Sequence, residues 1–96
     1  MGMLVLTRHP EQMLVLTQPG NRTSTIVVES VGKTGITVRL TTPDSTETVF
    51  VEHGKSVRFA GGEFMMQQGW GIAKGQARFL LTYPADVNIL REELMQ

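Results

Sequence analysis

Apolar and polar residues alternate along most of this chain with a period of two, the repeat that sends successive side chains to opposite faces of a β-strand. Nine segments carry the pattern and are rich in β-branched and aromatic residues: 4–8, 13–17, 25–31, 36–41, 46–52, 56–59, 64–70, 76–82 and 87–90. Turn-forming clusters separate them, among them Gln18-Pro19-Gly20-Asn21, Gly32-Lys33-Thr34-Gly35, Thr42-Pro43-Asp44-Ser45, Ala60-Gly61-Gly62 and Lys74-Gly75. Helical character is confined to the tail from Arg91 to Gln96, which is barely more than one turn and holds only if it docks on something else. The pattern predicts an all-β fold, a compact barrel or sandwich of short antiparallel strands with a very short C-terminal helix.

A chain of 96 residues with 41% hydrophobic and 19% charged residues has room for one modest core, so residues 1–96 are expected to form a single domain. Nine basic residues balance nine acidic ones, and a nucleic-acid partner would have to be held by a local basic patch, without a global field. The absence of cysteine excludes a disulfide scaffold, a thiolate metal site and a thiol nucleophile. No apolar run has bilayer-spanning length and no charged-then-apolar leader opens the sequence, so no membrane partner is expected and the expected location is the cytoplasm.

Two stretches repeat in degenerate form. Gly35-Ile36-Thr37-Val38-Arg39-Leu40-Thr41-Thr42-Pro43 echoes Gly75-Gln76-Ala77-Arg78-Phe79-Leu80-Leu81-Thr82-Tyr83-Pro84: a glycine turn, a strand with a central arginine, then a proline turn. Likewise His53 to Gly61 echoes His9 to Leu16. Chance similarity among short strands with glycine turns accounts for such echoes as readily as duplication does.

The two ends are more specific. Met3-Leu4-Val5-Leu6-Thr7-Arg8-His9, followed by Glu11 and Met13-Leu14-Val15-Leu16, opens the chain, and Thr82-Tyr83-Pro84-Ala85-Asp86-Val87-Asn88-Ile89-Leu90-Arg91-Glu92-Glu93-Leu94 closes it. Together they resemble the carbon storage regulator (CsrA/RsmA) family of bacterial translational regulators. Members of that family are roughly sixty residues long, too short to be comfortable as monomers. They form intertwined homodimers in which the first and last strands of one subunit pair with the middle strands of the other. The resemblance implies that this chain holds most of two subunits in tandem, copies 3–52 and 53–96, with the segment 48–52 both ending the first copy and standing where the first strand of the second would begin. Such a single-chain pseudo-dimer would be monomeric. The rival arrangement, a long insertion in an ordinary subunit, would be a homodimer.

The resemblance also implies a function: a non-enzymatic RNA-binding regulator that recognises GGA in messenger RNA, or in a small regulatory RNA, and represses translation without any cofactor. Unstacked bases expose edges that backbone groups of a strand can read, while arginine binds phosphates or base acceptors. Carried over by position, the contacts fall on Leu6, Thr7 and Arg8 at the start, on Thr82, Tyr83 and Pro84 in the turn, and on Val87, Ile89 and Arg91 at the end, with Arg8 and Arg91 brought close together. Arg91, just before the Glu-Glu pair, matches the family's key arginine. Two departures weaken the pattern. His9 stands where a second basic residue is usual and is mostly neutral at pH 7, and Glu52 stands at the place in the first copy that Arg91 has in the second. The alternative is a diverged interaction module that binds family members or their antagonists through exposed strand edges.

The remaining residues add no competing chemistry. Trp70 and Tyr83 are the aromatic candidates for base stacking, with core packing the simpler role for Trp70. His9 and His53 lack further ligands at metal spacing, and Gly69-Trp70-Gly71 with Gly75 is not followed by the Lys-Ser/Thr of a phosphate loop. Six methionines suit an adaptable core. No Ser-His-Asp or paired-carboxylate arrangement suggests an enzyme.

Overall fold

The computed structural model describes residues 2–8, 13–67 and 77–91. It contains nine strands: β1 (Gly2–Arg8), β2 (Met13–Gln18), β3 (Arg22–Val31), β4 (Gly35–Thr41), β5 (Thr46–Glu52), β6 (Ser56–Phe59), β7 (Gly62–Gln67), β8 (Ala77–Tyr83) and β9 (Asn88–Arg91). All pairings are antiparallel, and no helix occurs among the described residues. The expected C-terminal helix and Trp70 lie outside the described residues, except that Arg91 ends β9 and so belongs to a strand.

The strands form two open sheets rather than a closed barrel. The first has the order β1-β8-β7-β6 and the second the order β5-β4-β3-β2-β9. The first contains the three-strand meander β6-β7-β8 and the second the four-strand meander β2-β3-β4-β5. β1 lies beside β8 in the place that β5 holds beside β4. The sequence echoes fall on strands in like positions, since β2 and β6 open the two meanders and β4 and β8 are the third strand of each. The sheets differ in one place, because β9 lies beside β2 while no described strand lies beside β6.

Both sheets contribute to one core. Leu14, Leu16, Ile26, Val28, Ile36, Val38, Leu40 and Val51 from the second sheet meet Phe64, Met66, Phe79, Leu81 and Tyr83 from the first. These are alternate residues on their strands, as burying one face of each sheet requires. A bulge between Val28 and Ser30 shifts the register of β3 against β4. It adds one residue, Glu29, so that Val31 returns to the inner face opposite Ile36. The extruded Glu29 accepts a 2.6 Å hydrogen bond from Arg39.

Candidate nucleic-acid interface

Three short connections set the relation of the two sheets. Four residues, 9–12, carry the chain from Arg8 at the end of β1 to Met13 at the start of β2. Even fully extended, that connection spans no more than about 18 Å. A second crossing, residues 84–87, links β8 to β9 and is closed by a hydrogen bond from the Val87 N–H to the Pro84 carbonyl at 3.1 Å. Both crossings tie the β1–β8 edge of the first sheet to the β2–β9 edge of the second. The third, residues 53–55, ties β5 to β6 at the opposite edge.

The first and last strands, expected to bring Arg8 and Arg91 close together, are not neighbours in one sheet: each is the edge of a different sheet, and no ladder joins them. They nevertheless belong to the same side of the molecule. Arg91 stands opposite Leu14, the second residue of β2, and Arg8 precedes β2 by one short connection. The C-terminal ends of β1 and β9 are thereby drawn toward the same end of that side.

The remaining candidates are spread along these strands. Leu6, Thr7 and Arg8 stand in register with Phe79, Arg78 and Ala77 of β8, while Thr82 and Tyr83 pair with Met3 and Gly2 at the far end of β1. A seven-residue strand measures about 20 Å from end to end, so Thr82, Tyr83 and Pro84 lie one strand length away from Arg8. Ile89, opposite Leu16, is half-buried against the core; Val87 is buried; Pro84 is exposed and Thr82 half-buried. The nine residues describe an elongated strip along one side rather than a pocket.

Tyr83 is not available to stack on a base. It is 3% exposed, and its hydroxyl donates a 2.7 Å hydrogen bond to the Phe59 carbonyl two strands away. To reach it, the ring crosses β7 at Gly62, where a Cβ would collide with the ring and lie 2.7 Å from the Thr82 carbonyl. Burial first, and the neighbouring Glu63 carboxylate second, push the Tyr83 phenol well above its ordinary pKa. Any contribution of this position to a ligand would come from its backbone.

Arg78 is a candidate that the sequence did not single out for a site. Phe79, Leu81 and Tyr83 alternate inward from β8, which leaves half-buried Arg78 on the outer face, in register with Thr7 and one position from Arg8. It places a positive charge one register position from Arg8. Its signal was the central arginine of the repeated strand. The corresponding Arg39 of β4 is engaged with Glu29, whereas Arg78 has no ion pair among the described residues.

The second edge is chemically different. β5 stands to β4 as β1 stands to β8, so Glu52 lies on a strand placed as β1 is. Near its end β5 carries Phe50, 57% exposed, and exposed Glu52, with no arginine. Compared with protein-family models, with curated proteins and with solved structures, the chain matches none.

Proposed function

We propose that this protein is an RNA-binding post-transcriptional regulator that recognises GGA in messenger RNA through the strip along β1 and β9 and represses translation. The observation that carries the reading is the convergence of the ends of β1 and β9, the two segments that resemble the carbon storage regulator family, on one side of the molecule through two short crossings. The exchange of strands supports it as well. The first strand joins the meander of the chain's second half and the last strand joins that of its first half, as strands are exchanged between subunits in the family it resembles.

In this reading one chain does the work of two subunits and is monomeric. It binds one RNA, because the opposite edge has Phe50 and Glu52 in place of arginine and no described strand in the position of β9. Arg8, Arg78 and Arg91 provide the positive charge, and backbone groups of β1 and β9 read base edges. With about three cations engaged, the logarithm of affinity falls against the logarithm of salt with a slope of only about −2.

A titration with a GGA hairpin and a scrambled-loop control tests the proposal. Binding should be one to one, selective for GGA, and weakened by about 1–3 kcal/mol in Arg91→Ala, the range for a well-made base contact. Equal affinity for the two hairpins, or no effect of Arg91→Ala, favours the interaction-module reading. A dimer binding two hairpins contradicts the pseudo-dimer.

A further inference from the structure

The strand order leaves one position open. β9 covers the edge of β2, but among the described residues nothing covers the edge of β6. That edge is equipped for pairing. Ala60 and Gly61, with φ of 55° and 87°, form a two-residue hairpin turn. Phe59 and Gly62 are then its hydrogen-bonded closing pair, and bonding alternates back along the strand. Val57 and Phe59 direct their backbone groups to β7; Ser56 and Arg58 direct theirs to the open side.

The side chains point to the same vacancy. On the inner face of β2, beside β9, Leu14 and Leu16 are 0% exposed. On β6, Val57 and Phe59 pack against the core yet remain partly exposed, as does Val49 of β5, the strand that the 53–55 connection brings to this edge. On the outer face Arg58 is exposed and has no ion pair among the described residues, and Lys55 immediately precedes the strand.

We infer that the open edge of β6 is a strand-addition site for an extended, acidic segment of another protein. The segment would run antiparallel to β6 over about four residues, the length with which β9 covers β2. An apolar side chain would close over Val57 and Phe59, and a carboxylate on the opposite face would meet Arg58 or Lys55. Main-chain hydrogen bonds supply affinity in such an addition and alternate side chains supply specificity. The β5 edge of a second copy is a poor occupant. Its Glu47 stands opposite inward-facing Leu40, in line with Val49 and Val51, and a charge at such a position guards an edge against pairing.

The test is an amide-resolved titration of the whole chain with two short synthetic peptides, one alternating isoleucine with glutamate and the other isoleucine with lysine. The acidic peptide should shift the amides of residues 55–59 and protect those of Ser56 and Arg58 from exchange. Arg58→Glu should weaken the acidic peptide roughly tenfold and reverse the preference toward the lysine peptide. Ser56→Pro removes an N–H that the fold does not use and should weaken both peptides; should that variant unfold, the charge reversal alone decides. Absence of shifts at 55–59, binding indifferent to charge, or shifts confined to β1 and β9 overturns the proposal. So does a concentration-dependent dimer in light scattering that Ser56→Pro abolishes, because a second copy would then be the occupant.

Discussion

Tyr83 shows how much one side chain can fix in a small β fold. Its ring fills the space over Gly62 and its hydroxyl ties β8 to the carbonyl of Phe59 across the intervening strand. Tyr83→Phe should cost about 0.5–1.5 kcal/mol in urea denaturation, the range for one intramolecular hydrogen bond. The same residue gives a pH dependence of definite sign. Burial and Glu63 raise its pKa in the folded state, so above about pH 10 the unfolded chain loses the phenolic proton while the folded chain keeps it. Its contribution is present in full below that pH and is lost as pH rises toward the folded-state value. Stability should fall in alkaline solution, and Tyr83→Phe should remove that part of the fall. Because the chain has one tyrosine, its ultraviolet titration reads this group alone. The sequence suggested an exposed stacking role here. A Tyr-Pro pair at a strand end looks like a loop, and nothing local reveals that a glycine on the neighbouring strand has made room for the ring.

At the scale of elements, alternation located all nine strands, because period-2 burial is written locally in each segment. Their ends moved where turn chemistry mattered: β3 begins at Arg22 rather than Thr25, and β7 at Gly62 rather than Phe64. Partner choice was less legible. Whether β5 serves as a last strand or as a first strand depends on contacts with β4, and alternation cannot report them. The expectation that the first and last strands are neighbours did not reveal that they edge different sheets. One element is visibly less than ideal. The β6–β7 turn places Ala60 at φ 55°, a left-handed conformation that costs an L-residue with a Cβ about 1–2 kcal/mol. Asn-Gly is the favoured pair for such a turn. Ala60→Asn should therefore raise stability by about 0.5–1 kcal/mol in urea denaturation, and a destabilised variant would mean that the packing of the Ala60 methyl outweighs backbone strain.

For the molecule as a whole, two meanders with exchanged terminal strands make two unlike sides. One side carries the edges β1 and β9, with Arg8 and Arg78 one register position apart in the first sheet and Arg91 opposite Leu14 in the second; the other carries Phe50, Glu52 and the open edge of β6. An RNA regulator that also takes a protein strand would use the first side for the one and the second side for the other, so the two should bind without competition. The proposed RNA site lies on the first side. Amide chemical-shift mapping with a GGA hairpin tests it most directly. Perturbations are expected at Leu6, Thr7 and Arg8, at Thr82 and Tyr83, and from Val87 to Arg91, with β5 and β6 unmoved. Perturbations centred on β5 and β6, or none at a hairpin concentration that saturates binding, would contradict it.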